Sequence, residues 1–209
     1  MQAIDRLSSA LGRKDEVPNQ ELAKAITTAK DTAAVTALIE NLHNKNKSIQ
    51  SDCIKVIYEI GAIAPALIAK YDKELLELLE NKNNRLQWGT MTALSTIVRE
   101  KPESIFRHLP KLVAVAEKGS VITRDSLVAI LLSLAAVPQY AADAFDLFCE
   151  QLMKCPLNQL PMYAENALPV INQANKETFT RILVSRLGDL EKESKIKRLE
   201  KVMRKASKK

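Results

Sequence analysis

The side chains of this sequence that could do chemistry are few, and they do not gather. His43 and His108 lack cysteine or carboxylate partners at ligand spacing, so no metal site or catalytic base is spelled out, and no cofactor is expected. Cys53, Cys149 and Cys155 are odd in number and have no Cys-x-x-Cys spacing. They are expected to be reduced thiols of a cytoplasmic protein, two of them packed in the core. Lys118-Gly119-Ser120-Val121 has no Gly-rich loop or preceding strand, and reads as a helix-ending glycine followed by a helix-capping serine rather than a phosphate loop. What remains is a set of large polar and aromatic residues. Asp52, Lys55, Tyr58 and Glu59 form one group; Arg85, Trp88, Thr92, Ser95 and Arg99 form a second, holding the only tryptophan; Arg124 and Asp125 with Val128, Leu131 and Leu132 form a third, and Tyr163 follows. Trp, Tyr and Arg are the types that anchor binding interfaces, so this chemistry is recognition rather than bond-making.

These groups recur because the sequence recurs. A shift of 37 lays Asn44-Lys45-Asn46 on Asn81-Lys82-Asn83, Gln50 on Gln87, Ile60 on Ile97, Pro65 on Pro102 and Ile68 on Ile105. A further shift of 36 lays Leu86 on Ile122, Ala93 on Ala129, Leu94 on Ile130 and Pro102 on Pro138; a fainter one of 38 brings Asp125 to Tyr163 and Ala129 to Ala167. Periods of this length mark arrays of helical hairpins. Each unit reads as a polar turn, a B helix and a proline-opened A helix. The B helices are expected near 47–62, 84–100, 120–136 and 158–174, the last kinked at Pro169; the A helices are expected near 65–81, 102–117 and 138–154, with a last one opened by Lys176. In the first B helix Ile49, Cys53, Val56, Ile57 and Ile60 face inward at helical spacing, and the larger polar residues take the opposite side. Ahead of the array, residues 2–12 are expected to form a short amphipathic helix on Ile4, Leu7 and Leu11. Pro18 opens a second helix, and Asp31 or Thr32 caps a third that runs to about His43.

Composition agrees with helix throughout: Gly is scarce, with five in 209 residues, and strand signals are nearly absent. No signal-peptide pattern opens the sequence, and the longest apolar run, Leu127 to Val137, is too short to span a bilayer, so no membrane role is expected. The net charge of +6 is localised. From Arg186 to Lys209 there are ten Lys or Arg against four Asp or Glu, whereas residues 1–185 hold 21 of each sign. Lys195, Lys197, Arg198, Lys201, Arg204, Lys205, Lys208 and Lys209 can contact phosphates, or can simply be the solvated side of a terminal helix that lays Ile196, Leu199, Val202 and Met203 on the body.

Over 32–188 the pattern resembles the HEAT and armadillo-like helical repeats. The residues that carry the resemblance are Ile49-Gln50 through Glu59-Ile60-Gly61, and Leu109-Pro110, which is similar to the family's kinking proline in an A helix. The sequence departs from the family in having Asn44 and Asn81 where an Asp is usual in the turn, and Gln50 and Gln87 where an Arg is usual at the B-helix start. A neutral Asn/Gln ladder is therefore expected in place of an ionic one. The resemblance implies an all-α fold, a right-handed α-α superhelix of four to five repeats. It would form a single solenoid over 1–209, with 1–31 and 189–209 as its caps. In such a stack the B helices line the concave side, which would bring Asp52, Lys55, Tyr58, Trp88, Thr92, Arg124, Asp125 and Tyr163 to one groove.

That arrangement suits a non-enzymatic scaffold or adaptor holding a protein or peptide. The alternative is a nucleic-acid-binding protein, using either the groove, as the HEAT-like DNA glycosylases do, or the basic residues Lys195, Lys197, Arg198, Lys201, Arg204 and Lys205. Against a nucleic-acid groove stands the neutral charge of the repeats. A regulatory subunit that holds a cofactor-bearing partner would look the same as the scaffold. Trp88 also has two readings, because Gly89 beside it allows close approach and the indole can pack between repeats instead of facing a partner.

Overall fold

The structure is a computed structural model that describes residues 2–209. Every regular element among the described residues is helical, and the chain divides between Ile130 and Leu131 into two compact units.

The first unit opens with a 3-10 turn, Ala3–Arg6, instead of the amphipathic helix expected over 2–12. Only Leu7 of the three expected anchors is fully enclosed, and Leu11 is 50% exposed, so one buried side chain does not sustain a helix. Helices α1 (Val17–Ala29), with Pro18 in its first turn, and α2 (Thr32–Glu40) follow. Asp31 caps α2, accepting from the Ala34 amide at 2.9 Å.

Helix α3 (Lys47–Ile63) is the axis of this unit, with α1 and α2 packed on it before it in sequence and α5 (Asn84–Thr96) after it. Two close approaches fix the last pair. A methyl on Gly89 would lie 2.8 Å from Ile54 Cγ1, and one on Gly61 would lie 2.1 Å from Thr96 Oγ1. The step from Ile54 to Gly61 equals that from Gly89 to Thr96, so α3 and α5 run parallel, each with a glycine pressed against a side chain of the other.

The stretch between them is not the continuous A helix expected over 65–81. It runs as the 3-10 turns Pro65–Leu67 and Ala69–Tyr71, helix α4 (Asp72–Glu77) and the turn Leu78–Glu80. Ile68, Ala69, Tyr71, Leu75, Leu76, Leu78 and Leu79 are all buried, and on a straight helix they would cover about half the circumference. The breaks let both sides of that stripe turn inward. The next A segment is also divided, into α6 (Pro102–Arg107) and α7 (Leu109–Lys118). Its cause is visible in the sequence: Pro110 has no N–H to give the Phe106 carbonyl. Helix α8 (Val121–Ala135) carries the division between the units.

The second unit holds α9 (Ala141–Lys154), α10 (Leu160–Ala167), α11 (Lys176–Leu187) and α12 (Glu193–Ala206). Helix α10 stops two residues before Pro169 and passes into a 3-10 turn, Leu168–Val170, which is the break expected there. Phe148, Tyr163, Phe179, Leu183, Leu199 and Val202 are buried in this unit, and α12 packs on α10 and α11.

Candidate binding face

Burial fixes the repeat register more sharply than residue matching. Cys53, Thr90, Leu127 and Ala164 are all buried, as are Val56, Ala93, Ile130 and Ala167, and Ile60, Ile97, Leu134 and Ile171. Each set is spaced by 37 throughout. The shift of 36 fails on the same test, since it lays buried Leu86 on Ile122, which is 43% exposed, and buried Ala93 on exposed Ala129. Pro65 and Pro102 lie 37 apart but Pro102 and Pro138 only 36, so the connecting segments vary in length by a residue where the helices do not.

This register moves several of the expected groove residues. Asp52 and Tyr163 fall on the station of Gly89 and Ser126, which is buried in every repeat. Tyr163 is 2% exposed and is a core residue of the second unit, not a groove residue. Asp52 is 9% exposed, and its oxygens accept from the Ser9 amide at 2.7 Å and Asn19 Nδ2 at 2.9 Å. Asn19 in turn accepts from the Ser8 amide at 3.0 Å, so this carboxylate ties the N-terminal turn to α3. Arg124 takes the station of Gln87. Gln87 Nε2 donates to the Leu79 carbonyl at 2.9 Å, and Arg124 Nε donates to the Ala116 carbonyl, 37 residues on, at 3.3 Å. The guanidinium is therefore a turn clasp rather than a groove cation. Asp125 replaces it on the station of Trp88. Val128, Leu131 and Leu132 are buried and belong to the core.

The neutral ladder expected from the turn sequences is present. Asn44 and Asn81 accept from the amides of Asn46 and Asn83, which in turn cap α3 and α5 at Ser48 and Arg85. Asn83 Nδ2 donates to Gln50 Oε1 at 3.2 Å, joining successive turns.

Four of the expected residues do come together, and Arg85 joins them. The Lys55 ammonium lies 4.8 Å from the centre of the Tyr58 ring and bonds Glu59 at 2.5 Å. Burial works to lower the Lys55 pKa, but Glu59 and Tyr58 outweigh it and hold the ammonium above its usual range. Tyr58 and Trp88 are tilted at 44° with centroids 6.0 Å apart. The Arg85 guanidinium sits 5.2 Å from the Trp88 ring and pairs with Glu16. Thr92 accompanies them, its hydroxyl bonded to the Trp88 carbonyl at 3.0 Å and 3.3 Å from that of Ser126. Tyr58, Arg85, Trp88 and Thr92 are all half-buried. Gly89 closes the helix pair on Ile54, and the indole of Trp88 beside it leans on Tyr58 while remaining half-accessible. The 37-residue register adds Ser51, Ile122 and Ala129 to this face, which matching by residue type missed. Beside Arg85 opens a cleft of about 430 Å³, walled by Ser8, Ser9, Lys14, Lys47 and Ser51.

The basic residues of α12 separate into two sets. Lys195 bonds Asn158 Oδ1 on the inner side of the helix. Arg198 grips Glu165 with two hydrogen bonds, at 2.8 and 2.6 Å, and Lys197 pairs with Glu193. Glu165 is held below the usual carboxylate range, first by the Arg198 hydrogen bond and then by the fields of Arg198, Lys201 and Lys205. Lys201, Arg204 and Lys205 are exposed, with no ion pair within bonding distance among the described residues.

Among the described residues there is no cluster of three or more His, Cys, Asp or Glu able to hold a metal, and no single helix is long and apolar enough to cross a membrane. No protein-family model matches the sequence, and no curated protein is similar to it. Solved structures do resemble it. Two engineered proteins align over all of this chain and 100% and 98% of theirs, at 18% and 16% identity, with TM-scores of 0.63 and 0.60. A designed armadillo repeat protein aligns over 90% of this chain and 87% of its own, at 16% identity and a TM-score of 0.60. The fold is an armadillo/HEAT-like array of helical repeats, an α-solenoid.

Proposed function

We propose that the chain is a non-enzymatic scaffold that holds an extended protein or peptide segment along the B-helix face of its first unit. The observation that carries this reading is the row Lys55, Tyr58, Trp88 and Arg85. It sets two half-exposed aromatic rings between a buried Lys ammonium and a half-exposed guanidinium on adjacent parallel helices, already ordered by its own contacts. Aromatic and Arg anchors held in place before binding are what concentrate binding energy in a small patch. Thr92 and Asp125 extend the row with groups that can bond a partner's backbone. Residues 32–188 are the repeats and 1–31 and 189–209 their terminal caps, and the chain works in the cytoplasm.

Trp88 is the only tryptophan, so its emission reports the face directly. Peptides selected from a random library on the intact chain are expected to shift that emission on titration. Their affinity should fall about tenfold or more in Tyr58→Ala, the loss typical of a true anchor. Selected peptides that leave Trp88 emission unchanged and bind the Tyr58→Ala/Trp88→Ala variant as well as the native chain would remove the face from the proposal.

A further inference from the structure

We infer that the outward face of α12 is a second binding surface, for the phosphate backbone of double-stranded nucleic acid, contacted without regard to base sequence. This surface does not depend on the scaffold reading above. At about 100° per residue, Leu199, Val202 and Ala206 point one way and are buried on the second unit. Lys197, Arg198, Lys201, Arg204 and Lys205 cluster on the opposite side, with Lys208 in the turn that follows the helix, while Glu193 and Glu200 sit together at one margin. The cations therefore form one stripe on a helix held in place by its apolar side, rather than a loose tail. Lys197, Lys201 and Lys205 succeed one another at intervals of about 6 Å over a helix about 21 Å long. Among the described residues Lys201, Arg204, Lys205 and Lys208 have no ion-pair partner within bonding distance, so they can be given to a ligand without breaking an internal bond.

The stripe also selects among polyanions. The residues that an interfacial helix would insert into lipid are those already spent on packing, and none of the exposed large hydrophobic side chains of the chain lies on α12. The helix has no aromatic residue on which an unpaired base could stack, which disfavours single strands. Three of the four unpaired cations are lysines. They are compact charges suited to a continuous line of phosphates rather than to the planar fork of a single carboxylate. With no side chain shaped to read base edges, the contact is confined to the backbone.

The test is fluorescence anisotropy of a labelled mixed-sequence DNA duplex against the intact chain, from about 50 to about 200 mM salt. Binding is expected whose logarithm falls with log salt at a slope of about −3 to −4, one increment for each unpaired cation. Lys201→Gln/Lys205→Gln should flatten the slope by about two. Replacing Arg204 and Lys208 by Gln as well should weaken binding about tenfold or more at the lowest salt. The melting temperature should not change, since the side chains are exposed and Gln favours helix. Tyr58→Ala/Trp88→Ala should bind the duplex as the native chain does, which keeps this result separate from the fate of the peptide face. Four outcomes would overturn the proposal: no binding at the lowest salt, an unchanged slope in the double variant, strong preference for one duplex sequence, or tighter binding to phosphatidylserine vesicles or polyglutamate than to the duplex.

Discussion

Asp52 looks available for a partner on a helical wheel, but it is committed inside the unit. Its two oxygens accept from Ser9 and Asn19, residues distant in sequence, and no local pattern announces such a pairing. Next to it, Cys53 shows how burial and charge act together. Its thiol is fully enclosed, and burial, followed by the negative charge of Asp52, pushes its pKa up to about 12; burial likewise pushes Cys149 up to about 11. All three thiols are free and buried, one more than the two expected in the core. An unfolded thiol ionises near about 8.5, so the folded state binds the proton more tightly than the unfolded one. The resulting stabilisation is complete below that value and is lost as pH rises from there towards 12. The urea midpoint is therefore expected to fall between about pH 8.5 and about pH 10, before tyrosines and lysines titrate. The decline should be shallower in Cys53→Ala. A Cys53→Ala profile parallel to that of the native chain would assign the decline to other groups.

At the scale of elements, the contact that orders the candidate face is the approach of α3 to α5. Gly89→Ala would place a methyl 2.8 Å from Ile54 Cγ1 and 3.0 Å from its Cγ2, on a side chain branched at Cβ that has little room to turn. A gain in helix propensity of up to about 1 kcal/mol is opposed by overpacking of about 1–3 kcal/mol. Urea denaturation should show a net loss of stability together with a shift in Trp88 emission, because Trp88 moves with the helix. A more stable Gly89→Ala variant would mean that the helices separate without cost. Element positions were largely legible in the sequence. Pro110 and Pro169 mark helix breaks because a missing N–H is a local fact. The broken path over 65–80 was not legible, because it answers to how many apolar side chains must turn inward at once.

For the whole molecule, α12 is the element whose removal tests the capping role proposed for 189–209. Leu199, Val202 and Ala206 cover apolar surface on α10 and α11. A chain ending at Gly188 should bind a hydrophobic dye and self-associate in sedimentation, as uncapped helical repeats do. A monomeric, dye-silent truncation would show that α12 covers nothing essential.

The sequence by itself determined the helical class, the period near 37, the Asn/Gln turns and the confinement of net charge to the C-terminal segment. Each of these follows from local propensity, spacing or composition. Only the tertiary structure decided which side of each B helix is free. A helix offers every residue to some side, and matching residue types tolerates an error of one position, or about 100° of rotation. That single step moved Arg124 from the face to the turn. Burial of Gly89 and its equivalents in each repeat removed the ambiguity, leaving Tyr163 in the core and Trp88 beside Tyr58. The inward station is set by neighbouring helices brought together from distant parts of the chain, and their contacts are not written in the spacing of any one helix.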